Sequence, residues 1–222
     1  MTAEFRTIQR ADMFNKNFLA EMKVCLSPNK SGDWILEKFT IDEEASKGTK
    51  INAMTNMLGR GYVPPGEYTR LKNVSSADPF NDGIWMSDTP DECRDHIGFL
   101  AETKGRVLIG GLGIGLAIKP LIENPDVEHI TVLEIDPHVI NLVAGHYECR
   151  YGPQKLEIIK ADVFKWKPDS QMFDSCWMDI WYDICADNLQ EMARLRRRYK
   201  KWCRKIDFWC YIEMRRLQLI GY

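Results

Sequence analysis

An α/β fold on a doubly wound, mostly parallel sheet follows from three features of this 222-residue sequence. From residue 83 onward, apolar strand-like runs alternate with helix-like stretches, the pattern of a sheet covered on both faces. One of those strands runs into a glycine-rich turn and then a helix. Residues 1–82 lack the alternation and are rich in turn signals, so a small irregular N-terminal region is expected. We therefore expect an α+β extension over 1–82, acting as a lid or interface, and the main domain over 83–222.

The elements follow in order. Phe14, Phe18 and Met22 recur every fourth residue and predict a short amphipathic helix. Turns are expected at Ser27-Pro28-Asn29, Ser31-Gly32-Asp33, Val63-Pro64-Pro65-Gly66 and Ala77-Asp78-Pro79. Segments 34–41 and 68–71 read as strands, and Ile51, Met54 and Leu58 as the lining face of a helix. Ile84-Trp85-Met86 is a short apolar run. Asp88-Thr89-Pro90-Asp91-Glu92 reads as a helix start with a capping side chain, an early proline and acids in the first turn. Lys104-Gly105 closes that helix. Strands are then expected at 106–109, 130–134, 156–159 and 173–178, with a last one at 208–212. Helices are expected at 116–123 and 137–147, and a long one at 188–205. Right-handed crossovers bring the C-terminal ends of parallel strands to one edge, where ligands bind.

Composition narrows the class. Hydrophobic residues make up 45% and charged residues 28%, an ordinary globular balance that excludes bulk disorder. No apolar run approaches the roughly 20 residues that span a bilayer, so no membrane partner is expected. The N-terminus mixes charges with apolar residues and has no signal-peptide core. A net charge of −2 gives no global bias toward nucleic acid. The seven cysteines are odd in number, scattered, and without a C-x-x-C pair. That argues against a disulfide framework and a zinc site, and fits a reducing cytoplasm. His96, His129, His138 and His146 have no metal-ligand spacing; no metal is expected, and they receive no catalytic role.

Four motifs carry chemistry. The first is the run Ile109-Gly110-Gly111-Leu112-Gly113-Ile114-Gly115, joining strand to helix. Glycine permits the tight turn and the close approach of a ligand, and a following helix N-terminus offers free N–H groups. The spacing is G-x-G-x-G and not the full dinucleotide fingerprint; a plain strand-to-helix turn is the alternative. Second, Glu134 ends the next strand about twenty residues on, where a carboxylate can accept both hydroxyls of a ribose. Asp136 before Pro137 reads as a helix cap. Third, Asp162 and Val163 follow the next strand, a carboxylate beside apolar groups that suits an adenine, unless Asp162 is simply solvated. Fourth, Asp179 falls at the tip of the 173–178 strand, where it can orient or deprotonate an amine. Trp181 and Tyr182 would wall the acceptor; the alternative is a capping Asp179 with two packing aromatics.

Together these motifs resemble the class I S-adenosylmethionine-dependent methyltransferases and, within them, the polyamine aminopropyltransferases of the spermidine synthase family. The resemblance spans residues 82–183. It implies a Rossmann-like fold, with Gly110, Gly111, Gly113 and Gly115 in the cofactor loop. Glu134 and Ile135 would lie at the ribose, Asp162 and Val163 at the adenine, and Asp179 would be the catalytic base. Asp82-Gly83 and Asp91-Glu92 also align with family segments. The implied cofactor is S-adenosylmethionine or its decarboxylated form, and the implied partner a small-molecule substrate. Met86 stands where the synthases have a gatekeeping Gln, Asp95 where they have a substrate-contacting Tyr, and Gly113 where their loop has an acid. The cofactor half is thus kept and the polyamine half largely lost, which tips the reading toward methyl transfer over aminopropyl transfer. The pattern also resembles phage and prophage proteins labelled spermidine synthase-like, so a non-catalytic nucleoside-binding phage module is the rival. With five strands against the seven of a full methyltransferase sheet, a C-terminally shortened fold is expected.

One more feature stands apart. Arg194, Arg196, Arg197, Arg198, Lys200, Lys201, Arg204 and Lys205 interleave with Tyr199 and Trp202. On one helix they would form a positive stripe able to bind nucleic acid through 194–205, or else a solvated face. A homo-oligomer built through the N-terminal part is also open.

Overall fold

The computed structural model describes residues 16–56, 58–76, 82–170 and 172–221. Phe14 and the turn expected at 77–79 lie outside the described residues. Helix α1 (Lys16–Glu21) buries Phe18, and Met22 just after it is buried too. An antiparallel four-stranded sheet follows, in the order β1-β2-β3-β4. Its strands are β1 (Asn29–Ser31), β2 (Trp34–Ile41), β3 (Gly66–Asn73) and β4 (Ile84–Ser87). Gly32, at φ +56°, makes the β1–β2 hairpin turn where a side chain would be strained. Strand β4 pairs with β3, setting Leu71 opposite Met86.

Helix α2 (Glu43–Thr55) is capped by Asp42, which accepts from the Ala45 amide at 2.8 Å. The expected lining face does not form: Ile51 and Met54 point to solvent, and Leu58 lies past the helix end. Helix α3 (Pro90–Leu100) starts at the expected proline, but no side chain caps it. Asp88 instead turns back to accept from the amides of Val24 at 3.0 Å and Thr69 at 2.6 Å.

The second sheet is parallel, in the order β7-β6-β5-β8-β9. It comprises β5 (Gly105–Gly110), β6 (Val127–Glu134), β7 (Leu156–Lys160), β8 (Phe173–Met178) and β9 (Cys203–Phe208). Helices α4 (Ile118–Glu123), α5 (Pro137–Tyr151), α6 (Asn188–Tyr199) and α7 (Tyr211–Leu219) complete the α/β architecture. Successive β5 residues feed opposite cores. Val107 and Ile109 join one with Trp177, and Leu108 joins the other with Leu133 and Met178. The first core also takes in Trp34, Leu36 and Leu71, so the two sheets share buried apolar surface.

The boundaries around the glycine turn and the basic run differ from expectation. Helix α4 begins at Ile118 rather than 116, because Gly113 (φ +49°) and Gly115 (φ +79°) hold the chain in turns. Helix α6 stops at Tyr199, well short of 205. Strand β8 needs an edge partner: the Phe173 amide donates to the Trp202 carbonyl at 2.7 Å, and Cys203–Phe208 then pair alongside. The last strand is therefore 203–208, not 208–212, and Cys210 at φ +47° turns the chain into α7. The expected basic stripe is consequently divided among α6, a turn and β9.

Strand order reverses beside β5, which has β6 on one side and β8 on the other. Such a switch point opens a crevice at the strands' C-terminal ends. Among the described residues, no helix is long and apolar enough to cross a membrane.

Candidate functional site

The glycine turn begins as β5 ends. Gly111 (φ +94°) donates to the Leu133 carbonyl at 2.8 Å, and a Cβ there would strike the Asp179 backbone carbonyl. The Asp179 amide in turn donates to the Gly110 carbonyl at 2.8 Å. The loops leaving β5 and β8 thus touch backbone to backbone. Above Gly113 the space is taken by Met86, whose Sδ would lie 2.5 Å from a Cβ. Gly115 packs beneath Tyr147, whose hydroxyl donates to the Ile114 carbonyl at 2.9 Å.

Over this turn lies a cavity of about 390 Å³, within the usual range for small-molecule sites. Its floor and sides come from Gly111 and Gly113, from Glu134, Ile135 and Asp136 at the tip of β6, from Ala161 to Phe164 after β7, and from Asp179, Ile180 and Trp181 after β8. Its roof is the first sheet, through Trp34, Leu71, Asn73, Trp85 and Met86. The fold therefore gathers Gly111, Gly113, Glu134, Ile135, Asp162, Val163, Asp179 and Trp181 around one space. Gly110 and Gly115 lie behind its wall, one closed in by Met178 and Val163, the other by Tyr147. Tyr182 lies outside as well. It is half exposed, packs its ring 5.3 Å from Trp85, and lines a second cavity of about 570 Å³ with Arg60, Asp91, Glu92, Asp183 and Trp209. Trp85 walls both cavities.

Three carboxylates of the first cavity accept from backbone amides. Glu134 accepts from the Leu112 amide at 2.9 Å and the Asp136 amide at 2.8 Å. Desolvation nonetheless pushes its carboxyl above the ordinary range. Asp136 caps α5 by accepting from the His138 amide at 2.8 Å, and takes the Trp34 indole N–H at 2.7 Å. Asp162 accepts from the Phe164 amide at 2.8 Å and pairs with Lys165 at 3.2 Å. Desolvation acts upward on the Asp162 carboxyl, but the Phe164 amide, Lys165 and Arg194 outweigh it and hold it low. Trp181 is fixed by its indole N–H, which donates to Glu191 at 2.8 Å. The cavity walls carry Glu134, Asp136, Asp162 and Asp179 and, among the described residues, no Lys, Arg or His.

A further cluster lies behind Asp179. His96 Nε2 is 3.2 Å from Asp179 Oδ2, and its Nδ1 is 3.0 Å from the Glu92 carbonyl. Half-buried Glu92 accepts from the Ser87 amide and hydroxyl, both at 2.7 Å. Asp95 pairs with Arg60 at 2.5 Å, and Arg60 also reaches Asp91 at 3.4 Å. Sequence reasoning missed Arg60, Glu92 and His96 as site residues. Glu92 and His96 stand one helical turn apart in sequence, the signal that could have joined them. Among the described residues, no group of three or more His, Cys, Asp or Glu is arranged to hold a metal ion.

No family model matches the chain. It is 32% identical over 125 residues to a polyamine aminopropyltransferase of Leptospira interrogans, covering 50% of this chain and 25% of that protein. It is 30% identical over 104 residues to polyamine aminopropyltransferase 2 of Ralstonia nicotianae, covering 40% of this chain and 20% of that protein. The chain resembles the polyamine aminopropyltransferases. The matches span only a fifth to a quarter of those relatives' length. Among solved structures, the CcbJ methyltransferase of Streptomyces caelestis aligns at a TM-score of 0.39 with 15% identity, over 50% of this chain and 45% of that one. A likeness at that score carries no argument about function.

Proposed function

We propose that this chain is a transferase that binds an S-adenosyl sulfonium donor. The single observation behind this reading is the cavity at the switch point, walled by four carboxylates and apolar groups, with no Lys, Arg or His among its lining residues. A cation fits such walls, while an isolated carboxylate does not. When bound, the donor supplies a carbon made electrophilic by its sulfonium. The chain's own residues then have to bind, orient and exclude water. We assign Glu134 and Ile135 to the ribose side, Asp162 and Val163 to the adenine side, and Gly111 and Gly113 to the sulfonium side. Gly110 and Gly115 support the turn from behind. Asp179 would meet the acceptor, orienting it and taking its proton, with Trp181 beside it. Tyr182 would wall the acceptor from the second cavity, which suits a small-molecule substrate.

Two transferred groups are in play. Methyl transfer from S-adenosylmethionine is the first reading, supported by the acceptor side. There Asp95 and Asp91 are already paired with Arg60, which leaves fewer carboxylates for a polyamine. Aminopropyl transfer from the decarboxylated donor is the second reading. It is favoured by the acidic walls and by turn amides already engaged: Leu112 donates to Glu134 and Ile114 to Met86 Sδ at 3.4 Å. Few donors remain there for an α-carboxylate. Calorimetry with S-adenosylmethionine, its decarboxylated form and NAD tests the site. Binding of either sulfonium at micromolar concentration is expected, and preferential NAD binding overturns the reading. The rival is a non-catalytic nucleoside-binding phage module, which predicts donor binding without turnover on any amine.

Nucleic-acid binding through 194–205 would now rest on scattered cations, and a shift assay at two salt concentrations tests it; binding insensitive to salt overturns it. Sedimentation tests the homo-oligomer. We place the protein in the cytoplasm, supported by seven cysteines that are all free thiols.

A further inference from the structure

We propose that His96 is a positioning residue for Asp179, donating its Nε2–H to Oδ2 of the ionised carboxylate and so leaving Oδ1 for the acceptor. The inference rests on reading Asp179 as the group that meets the acceptor.

The Glu92 carbonyl can only accept, so His96 Nδ1, 3.0 Å away, carries a hydrogen. That fixes the ring's tautomer and leaves Nε2 facing Asp179 Oδ2 at 3.2 Å. A bare nitrogen and a bare carboxylate would repel there, so one proton lies between them. Either the pair is imidazolium and carboxylate, or both partners are neutral.

The surroundings choose between these. Asp179 faces the ring from the end of β8, and Asp95 faces it from its own helix, with Arg60 offsetting Asp95 from outside. Glu92, one turn earlier, is an additional, half-buried acid. Toward the glycine turn the wall is apolar, formed by Ile109, Leu112 and Ala117, and Trp177 packs its ring 5.4 Å away. Desolvation pulls the imidazole down, but the hydrogen bond and charge of Asp179, then the Glu92 carbonyl and Asp95, outweigh it, and the net direction is up. We therefore take the pair as charged.

The arrangement has a mechanical side. The Asp179 backbone is pinned by its amide bond to Gly110, so the freedom left to it is side-chain rotation. His96 removes that freedom. It is itself fixed by α3, whose first turn is tied to β4 through Glu92 and Ser87. Among the described residues, no hydrogen bond is made to Asp179 Oδ1.

The first test is nitrogen-15 NMR of the four histidines, with His96 assigned from the spectrum of His96→Gln. His96 should titrate above the ordinary imidazole value of 6.5 in the wild type, and its titration should move down in Asp179→Asn. A His96 already neutral at pH 6, or one unmoved by Asp179→Asn, overturns the proposal. The second test is turnover. His96→Ala should lower the transfer rate by about 10- to 100-fold with donor affinity unchanged and the acid limb of the pH profile moved upward. His96→Gln keeps an N–H near the same place and should recover part of that loss. Equal rates in all three proteins overturn the positioning role. If His96→Ala fails to fold, the spectra of the wild type and Asp179→Asn still decide. Donor calorimetry on the wild type separates the two readings: no donor binding overturns the transferase, whatever the spectra show of the pair.

Discussion

Glu92, on the first turn of α3, is held against β4 through Ser87, and its carboxyl is pushed up to about 7. Desolvation is the main cause, opposed by the Ser87 bonds and reinforced by Asp95 and Asp179. A raised folded value means that the native state prefers the neutral acid. Stability from this group is therefore fully present below the ordinary carboxyl value of 4.5 and is lost as pH rises through about 7. Glu92→Gln should flatten that dependence and be the more stable protein at pH 8, by about 3 kcal/mol at most. Urea unfolding at pH 5 and pH 8 measures it; identical slopes in both proteins would remove Glu92 from the account. Asp179→Asn should lower transfer by roughly 10²- to 10⁴-fold while leaving donor binding nearly intact, as read by turnover and calorimetry together. Glu134→Gln should do the reverse. It weakens nucleoside binding and also costs about 1–3 kcal/mol of stability, because an amide group presents a donor to one of the two backbone N–H groups now bound to the carboxylate.

Helix α6 and strand β9 show what the cations between them do. Arg198 donates to the carbonyls of Lys165 at 2.5 Å and Trp166 at 2.7 Å, tying α6 to the loop after β7. Arg196 lies over Phe208 at 4.9 Å, and Arg204 pairs with Asp174 at 2.9 Å. Arg198→Ala should cost about 1 kcal/mol in urea unfolding, because an exposed and a half-buried carbonyl lose their charge-assisted donor. An unchanged midpoint would show the cation to be idle. These elements also mark where sequence reading stops. Strands β5, β6 and β8 were legible because their residues are apolar on both faces, as burial in a covered parallel sheet requires. Strand β9 was not. Its Arg204, Lys205 and Asp207 carry charge on an edge strand, and the cation run before it extends a helical pattern past its true end. The strand-tip acids Glu134, Asp162 and Asp179 were legible for the same topological reason. The contact of His96 with Asp179 spans 83 residues and depends on how α3 packs on the sheet, which no local spacing encodes.

The two sheets enclose the candidate site between them. Trp34 from the first sheet reaches Asp136 on the second, Ser31 meets His138 at 2.9 Å, and Lys119 holds the carbonyls of Glu21 and Lys23. Trp34→Phe keeps the ring but drops the indole bond, and should weaken donor binding about 3- to 10-fold in calorimetry. A bound donor, in turn, should stabilise the whole molecule by about 2.7 kcal/mol at a hundredfold excess over Kd, visible as a raised Tm. Gly111 sits at the meeting point of all this, and its lack of a side chain has a consequence for how the protein can change. The strip of backbone under the cavity and the strip that carries Asp179 are spaced by a single hydrogen. A lineage wanting to reshape one bank of the cleft has no freedom to do so at this position, because even a methyl group would re-aim the opposite bank.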